Sequence, residues 1–239
     1  GENNILMAEV IDNTTSRGRT IRFLYDGPHD EFIKLIKSLG EPPIPREIRL
    51  KRNVTEDDYL YYQTIYAKNE GSVVAPHAGL HFSRELLKRL EIVGVDFADL
   101  TLHIGLGVYK KVDVEDLSKH KMDSEEYVIP EEVVDKINKT KENKKRVFIT
   151  GISVMRALES SITTTGILKP SAGWTNKFIY SPYTFTIPDA LITTFHYPES
   201  TSLMATSAFA GHDFLMEAYK IAIAEKYRFF AYGDMMLIL

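Results

Sequence analysis

Residues 146–160 read RVFITGISVMRALES, and this stretch decides the fold class. Its first five residues form a short apolar run that predicts a strand. Gly151 follows directly, and the apolar spacing after it predicts a helix over residues 153–161. The free N–H groups at the start of such a helix form an anion-binding site. A strand, one glycine and a helix in succession indicate an α/β unit.

Strands and helices alternate through much of the remaining chain. Apolar runs predict further strands over residues 95–104, 177–180, 190–195, 228–232 and 235–239. Helices are predicted over residues 84–92, 130–143, 201–210 and 212–226. Such alternation predicts an α/β fold with a mostly parallel sheet that carries helices on both faces.

The first part of the chain has a different pattern. Two β-prone runs, 4–11 and 19–25, flank a turn-forming cluster and predict a β-hairpin. An isolated hairpin is marginally stable, so it should belong to a larger sheet or barrel. A short helix is predicted at 29–39, and the three prolines of EPPIP, residues 41–45, form a stiff connector. We therefore expect three parts, at residues 1–27, 28–48 and 49–239.

The composition limits the class of protein. The chain has 239 residues, no cysteine and a formal net charge of −4. The lack of cysteine excludes disulfides and thiolate metal sites. The net charge argues against binding nucleic acid by bulk charge alone, although it leaves room for a local basic face. Without an apolar run of about 20 residues or a charged-then-apolar leader, we expect a cytoplasmic protein that does not enter the membrane.

The segment YQTIYAKNEGSVVAPHAGLHF, residues 62–82, has the composition of a functional loop. His77 and His81 can titrate near neutral pH, and their spacing of four is that of a zinc-binding helix. Ala78 and Gly79 follow, where a zinc helix needs a glutamate, and glycine weakens a helix. We therefore expect no metal site. The histidines serve either a substrate site or the hydrogen-bonded framework of the fold.

Three further segments suit either a site or the framework. LHIGLGVY, residues 102–109, places His103 and two glycines at a strand end, where ligands of open α/β sheets bind. HKMDSEE, residues 120–126, lies between predicted elements and is either a polar loop or a functional one. Arg156 and Glu159 are three residues apart on a helix, so they form either an internal ion pair or a grip for a carboxylate or phosphate.

Two more titratable side chains lie beside apolar strands. His196 ends a strand just before a helix that Ser200 caps, which suits catalysis, and a structural histidine is the alternative. Asp234 follows a glycine at the edge of the last strand, and a turn aspartate is the alternative there.

The basic residues form three clusters, at residues 16–22, 46–52 and 136–146. The third follows a predicted helix, and a charged helix face is usually just solvated. The first two flank the hairpin and the connector, so RNA is expected there first. The residues concerned are Arg17, Arg19, Arg46, Arg49 and Lys51.

Eight segments, taken together, resemble the S-adenosylmethionine:tRNA ribosyltransferase-isomerase family of queuosine biosynthesis. They are YQTIYA, GSVVAPHAGLHF, LHIGLG, HKMDSE, SVMRALES, GWTNKFIY, DALITTFHYPES and YRFFAYGDMMLI. The segments occur in the order of the family and span nearly all of residues 4–239. One such motif would be a weak sign, whereas eight in order indicate membership.

The resemblance implies a transfer reaction on RNA. The ribosyl part of S-adenosylmethionine moves to 7-aminomethyl-7-deazaguanine at the tRNA wobble position, and isomerisation of the sugar gives epoxyqueuosine. Adenine and methionine leave, so S-adenosylmethionine is a co-substrate and no retained cofactor is implied. The implied fold is an α/β catalytic domain at residues 49–239 with a β-barrel that ends at residues 1–27. Residues 28–48 are then a helix and hinge, and we expect the barrel to begin in a portion before residue 1.

The chemistry of that reaction suggests roles. A base must remove a proton next to the sulfonium, and an acid must help adenine to leave. The catalytic candidates are His81, which fits the family motif and leads, with His103, His196, Glu159 and Asp234. A carboxylate needs a cation or a helix start, and a sulfonium or adenine favours an aromatic face. The candidates for binding S-adenosylmethionine are His77, Gly79, Phe82, Gly105, Tyr109, Gly151, Arg156 and Trp174.

Several positions depart from the motifs of the family. His77 stands where the family has threonine, and Ile152-Ser153 stands where it has two threonines. Thr194 replaces an asparagine, and Glu199 is acidic where a basic residue is common. These changes leave one alternative function, a diverged relative that binds RNA or an adenosyl ligand without the full reaction.

Overall fold

The computed structural model describes residues 5–15 and 18–239. The chain divides into two compact units, Gly1–Pro42 and Pro43–Leu239. This division falls inside the predicted hinge region of residues 28–48. The boundaries predicted after residues 27 and 48 stay predictions.

The first unit is a hairpin followed by a helix, both as predicted. Its elements are β1 (Met7–Thr15), β2 (Gly18–Leu24) and α1 (His29–Leu39). The two strands pair antiparallel. Phe32 of α1 packs against Phe23 and Tyr25, with ring centroids 5.4 Å apart in each pair. Large apolar side chains of both strands, such as Val10 and Ile21, remain exposed.

The second unit contains six further strands and the remaining helices. The strands are β3 (Thr101–His103), β4 (Glu125–Ile129), β5 (Phe148–Thr150), β6 (Ser171–Thr175), β7 (Ala190–Thr194) and β8 (Met235–Ile238). The α-helices are α2 (Arg46–Arg49), α3 (Glu56–Tyr61), α4 (Arg84–Ile92), α5 (Glu131–Glu142), α6 (Ile152–Ser160), α7 (Thr201–Ala210) and α8 (His212–Ala224). Short 3-10 helices cover His77–His81, Leu106–Tyr109 and Leu117–Lys119.

The predicted helix starts are confirmed where local chemistry sets them. Ser83 accepts a hydrogen bond from the Leu86 N–H at 3.1 Å, and Ser200 accepts one from the Leu203 N–H at 3.1 Å. Pro130 directly precedes α5. The two serines satisfy N–H groups that the first helical turn leaves free, and the proline has no N–H group to satisfy.

The sheets are mostly antiparallel, so the predicted mostly parallel sheet is wrong. One sheet has the order β3-β4-β6, and both of its pairs are antiparallel. The other has the order β5-β7-β8, in which β5 and β7 are parallel and β8 is antiparallel to β7. Two helices separate β7 from β8 and bring the chain back to the end of the sheet at which β7 finished, since Met235 pairs with Thr194, so β8 runs antiparallel to β7. A single helix between the strands would favour the parallel direction.

Sequence patterns also misplace some strands. The sequence does not reveal β4 or β6, because β4 begins with two adjacent glutamates and β6 has one large apolar residue, the exposed Trp174. Residues 177–180 and 228–232, predicted as strands, lie outside the strands of the structure. Their aromatic side chains pack on other rings instead, as Phe178 does on Tyr180 with centroids 4.8 Å apart.

Helix α6 connects the two sheets. It contacts β5 of one sheet and β4 and β6 of the other. Met155, Ala157 and Leu158 are completely or almost completely buried in the main core. Gly151 precedes the helix with φ of 92°, a left-handed value that favours glycine, and its N–H donates to the Ile192 carbonyl at 2.8 Å. The start of α6 is therefore fixed against the end of β7.

Gly233→Ala is expected to lower the free energy of unfolding by about 1–3 kcal/mol. The added Cβ would lie 2.6 Å from the Arg228 carbonyl oxygen and 2.8 Å from that of Phe230, so the turn backbone must shift. Gly173→Ala is the control, since a Cβ there meets nothing within 4 Å. Urea denaturation measures both variants, and equal stability of the two would contradict the prediction.

Candidate active site

A cleft opens where β5 and β7 end. The two strands are parallel neighbours, so their carboxyl ends meet at the same edge of the sheet. The cleft is lined by residues 150–154 after β5, by residues 193–197 at the end of β7 and by residues 74–78. The other lining residues are Leu102, Ile104, Val108, Tyr109, Ser200, Ser202 and Phe230.

The first turn of α6 lies at the cleft. Gly151 is the N-cap residue, and no side chain in the described part of the chain caps the helix. The first intrahelical bond runs from the Met155 N–H to the Gly151 carbonyl, which leaves the N–H groups of Ile152, Ser153 and Val154 for a ligand. A carboxylate or phosphate would be favoured there by these donors and by the helix dipole.

His77 and His196 both line the cleft as neutral imidazoles. Burial, and then the nearby His81, lower the pKa of His77 to about 4. Burial, and then His77, lower the pKa of His196 to about 3. The Nε2 atom of His77 lies 2.9 Å from the Tyr62 hydroxyl, and that of His196 lies 2.8 Å from the Thr193 hydroxyl. Neutral imidazoles do not repel a cationic ligand and can accept a proton.

Tyr62 supports His77 from below the cleft. Tyr62 is buried, and its hydroxyl is also 3.4 Å from that of Tyr109, a cleft residue. Burial raises the pKa of both tyrosines, so both hydroxyls keep their protons. The Tyr62 ring packs edge-on against Tyr232 at 5.5 Å between centroids, which fixes its position.

The buried carboxylate of Asp58 anchors this group. It accepts two hydrogen bonds from the Arg52 guanidinium, at 2.6 and 2.8 Å, and one from the Tyr232 hydroxyl at 2.9 Å. The Thr55 N–H donates a further bond at 2.8 Å. The Arg52 guanidinium, above all, holds the pKa of Asp58 well below its usual range. Asp58 therefore fixes Tyr232, on which Tyr62 packs.

Tyr197 and Phe230 form an aromatic wall on one side of the cleft. Their rings are stacked, with 3.7 Å between centroids and an angle of 3°. Phe230 has φ of 69° and Glu199 has φ of 61°, values that cost non-glycine residues about 1–3 kcal/mol each. Two backbone bonds hold these residues, from the Phe230 N–H to the Phe195 carbonyl and from the Val112 N–H to the Glu199 carbonyl. Backbone strain of this kind is concentrated at functional sites.

The structure places His81 in the framework and not in the lining of the cleft. Its Nε2 atom lies 2.9 Å from the Gly233 carbonyl oxygen, and its Nδ1 atom lies 3.2 Å from the His77 carbonyl oxygen. A carbonyl can only accept a hydrogen bond, so both ring nitrogens face acceptors of the protein itself. His81 links the 3-10 helix that carries His77 to the turn before β8.

Arg156 is also occupied by the protein. Its guanidinium binds the Glu125 carboxylate of β4, and its Nε donates to the Lys177 carbonyl at 2.8 Å. Both members of the ion pair are buried, and the partner is Glu125 and not the Glu159 of the same helix. The Nη2 atom of Arg156 lies 3.5 Å from the Thr175 carbonyl oxygen, and Arg156 is not among the residues that line the cleft.

The carboxylates of Glu159 and Asp234 accept hydrogen bonds from backbone N–H groups. Glu159 accepts hydrogen bonds from the N–H groups of Thr186 and Ile187, at 2.9 and 3.0 Å. Asp234 accepts from the Arg228 side chain and, at 2.7 Å, from the Arg228 N–H, and the bond to that side chain lowers its pKa. Both carboxylates stabilise turns outside the cleft lining.

Five further candidates from the sequence do not line the cleft. His103 has a buried Nδ1 atom with no hydrogen-bond partner among the described residues, and its ring packs on Gly71. Phe82 is buried, whereas Trp174 is 68% exposed on β6. Gly79 packs against Tyr66 and Thr64, and Gly105 has open space where a side chain would stand.

The predicted RNA contacts lie in both units. Arg46 and Arg49 are exposed on α2, and Lys51 is exposed just after it. Arg19 lies in β2, and Arg17 lies outside the described residues. Within the described ranges, no group of three His, Asp or Glu side chains could hold a metal ion. No described helix is both long and apolar enough to span a membrane.

Sequence reasoning missed several residues of the site. Tyr62, Tyr197 and Phe230 were not chosen, although each lies inside a segment that resembles the family. Position within such a segment was the signal that could have found them. Thr193 and Ser153 also lie in such segments, but their place in the cleft depends on the pairing of β5 with β7, which the sequence does not show.

The fold is that of an α/β protein with a cleft at the carboxyl ends of two parallel strands. The model of one family, described as queuosine biosynthesis protein, matches residues 2–238. The chain belongs to this family.

The chain is similar over its whole length to curated proteins of that family. It is 58% identical over 239 residues to the S-adenosylmethionine:tRNA ribosyltransferase-isomerase of Bacteroides fragilis and 57% identical to that of Flavobacterium psychrophilum. In each case it spans 68% of the relative. A crystal structure of S-adenosylmethionine tRNA ribosyltransferase from Thermotoga maritima is 40% identical, with a TM-score of 0.56 over 68% of this chain and 51% of that one.

Glu125→Ala is expected to lower the free energy of unfolding by about 3–5 kcal/mol, because it leaves the Arg156 charge buried and unpaired. Glu85→Ala is the matched control. Glu85 pairs with Arg89 on an exposed face of α4, where the loss should be below about 0.5 kcal/mol. Both are measured by urea denaturation. Similar losses in the two variants would show that the buried pair has no special role.

His196→Gln is expected to flatten the pH dependence of stability. The pKa of His196 is about 3 in the folded protein against an ordinary value of 6.5, so the unfolded chain binds the proton first as the pH falls. Stability from this group is complete above pH 6.5 and is lost towards pH 3. Glutamine cannot titrate but can still bond to Thr193.

The unfolding free energy, measured at about pH 7 and about pH 5, gives the slope. His212→Gln on the exposed start of α8 is the control and should keep the wild-type slope. An unchanged slope in His196→Gln would contradict the prediction.

Proposed function

We propose that this chain transfers the ribosyl part of S-adenosylmethionine to 7-aminomethyl-7-deazaguanine at the wobble position of tRNA and isomerises the sugar to give epoxyqueuosine. One observation carries the proposal. Of the eight segments that resemble the family, five line the same cleft, namely residues 71–82, 102–107, 153–160, 189–200 and 227–238. The identity to the curated relatives supports the same reaction.

The methionine part of S-adenosylmethionine binds at α6 in this proposal. Its carboxylate takes the free N–H groups of Ile152, Ser153 and Val154, which line the cleft and lack a capping side chain. Arg156 is not needed for this contact, because Glu125 already neutralises it. The helix start thus replaces the cation that the sequence suggested.

The sulfonium then faces two neutral histidines. His77 and His196 line the cleft, and their lowered pKa values keep them uncharged at neutral pH. Protonation of either would place a like charge near the sulfonium and weaken binding. Tyr109 and the wall residue Tyr197 supply aromatic faces for the cation or the adenine.

The protonation state also sets the order of proton transfers. A neutral histidine can accept a proton, but it has no imidazolium proton to donate to adenine. The first step is therefore removal of the proton next to the sulfonium. The imidazolium formed in that step can return the proton to adenine as the bond from adenine to the sugar breaks and its electron pair stays with adenine. His77 and His196 are the two residues of the described chain that we assign to this exchange, in place of His81.

The departure at position 77 fits an active enzyme. His77 brings a proton acceptor into the cleft and is held there by Tyr62, so the change from threonine adds a reactive group to the site. No contact of the site favours the non-catalytic alternative.

The wider organisation remains a proposal of the same kind. We assign residues 1–27 to the end of a β-barrel, since the exposed apolar side chains of β1 and β2 need further strands to cover them. Residues 28–48 then form the hinge, and residues 49–239 form the catalytic domain. Arg46, Arg49 and Lys51 are assigned to tRNA, and the protein is assigned to the cytoplasm.

The test is incubation of the chain with S-adenosylmethionine and a tRNA that bears 7-aminomethyl-7-deazaguanine, followed by chromatography of adenine, methionine and the modified nucleoside. Release of both products with formation of epoxyqueuosine is expected. Binding of both substrates without release would support the non-catalytic alternative and overturn the proposal.

Ser153→Asp tests the carboxylate site in the same assay. The new side chain places a negative charge at the free N–H groups of α6, so the KM for S-adenosylmethionine should rise at least about tenfold while the KM for tRNA changes little. Ser153→Ala is the control and should keep both values. An unchanged KM for S-adenosylmethionine in Ser153→Asp would show that the methionine carboxylate does not bind at the start of α6.

A further inference from the structure

A second pocket lies on the other side of the aromatic wall. Tyr197 and Phe230 line both the cleft and this pocket. Its other lining residues are Pro45, Glu47, Ile48, Lys51, Arg52, Phe229 and Ala231. The pocket therefore combines an apolar floor with charges of both signs, and one pair of stacked rings separates it from the cleft.

We propose that this second pocket holds one nucleotide of the RNA, the neighbour of the nucleotide whose base enters the cleft. The inference rests on the proposed function for the identity of the RNA. It adds a specific subsite, a base flanking the reaction site, that neither the family motifs nor the basic cluster indicates.

The floor and the acidic residue of the pocket suit a nucleobase. Ile48, Phe229 and Phe230 offer apolar and aromatic surface of the kind on which unpaired bases bind. The Tyr197 hydroxyl donates a hydrogen bond to Glu47, which holds the carboxylate at the pocket. Burial, and then Glu47, raise the pKa of Tyr197, so its hydroxyl keeps its proton. The carboxylate can accept a hydrogen bond from an N–H group on the edge of a base.

The basic residues of the pocket suit the phosphate of the same nucleotide. Lys51 is exposed at the rim, and Arg46 on the adjacent helix α2 adds positive charge. Arg52 is fixed by its two bonds to the buried Asp58, so one part of the rim is rigid before RNA arrives. Cations at a rim and aromatic rings at a floor are the usual combination for single-stranded nucleic acid.

The wall explains why the two pockets would act together. The left-handed φ of Phe230 and its N–H bond to the Phe195 carbonyl hold that ring in place, and the Ser200 N–H donates to the Tyr197 carbonyl. A base seated on one side of a single ring stack leaves its neighbour in the chain beside the other side. The second pocket would thus set the register of the RNA at the reaction site.

Equilibrium binding tests the phosphate contact without relying on turnover. A fluorescein-labelled anticodon stem-loop RNA is titrated with the chain at several salt concentrations. Lys51→Ala should weaken binding and reduce the slope of log K against log salt by about 0.7, the value for one contact to a single strand. Lys220→Ala, an exposed lysine of α8 away from both pockets, should leave the slope unchanged.

Two RNAs, each with one base flanking the target removed, test the base contact. One of them should bind the wild type about tenfold more weakly than the complete RNA, and this difference should vanish in Phe230→Leu. Phe230→Tyr should restore the difference, and Phe214→Leu on the exposed face of α8 should keep it. Thermal melting of each variant checks that it is folded.

The outcomes separate this inference from the proposed function. If the wild type binds RNA with these dependences but releases no adenine, the subsite stands and the proposed reaction fails. If the wild type turns over, while neither abasic RNA nor Lys51→Ala alters binding, the reaction stands and the subsite is wrong.

Discussion

The buried ion pair between Arg156 and Glu125 is the interaction on which the cleft depends. Taking both charges out of water is costly, and the pair offsets this only through close geometry and the added bonds from Arg156 to backbone carbonyls. Those bonds connect α6 to β4 and to the segment after β6. The helix is thereby fixed between the two sheets, and its uncapped start is turned to the cleft.

Burial has a second effect in the same region. It keeps His77 and His196 uncharged, while hydroxyl groups of Tyr62 and Thr193 hold their rings. Asp58 is also buried but stays charged, because the Arg52 guanidinium lowers the pKa of its carboxyl group. The site therefore places fixed charge beneath the cleft and neutral proton acceptors inside it, which suits a ligand that itself carries both a cation and a carboxylate.

Local chemistry was predictable and long-range pairing was not. The hairpin, α1, the Ser83 and Ser200 caps and the turn at Gly151 follow from neighbouring residues, and the structure contains each of them. The direction of β8 depends on the path of the chain through α7 and α8. The sequence pattern shows only that helices separate β7 from β8, and not at which end of the sheet the chain returns. β4 was hidden because its polar residues belong to buried contacts, as Glu125 does.

The sequence by itself determined the family, the starts of α4, α5 and α7, and a set of histidines and glycines that included His77, His196 and Gly151. Only the tertiary structure decided which of them share a cleft. His81 led the catalytic candidates and Arg156 was a binding candidate, but their partners lie 152 and 31 residues away along the chain. A side chain reacts with whatever the packing of distant elements leaves beside it. Hydrogen bonds to Gly233 and Glu125 satisfy these two groups, whereas His77 and His196 line the cleft at the ends of β5 and β7.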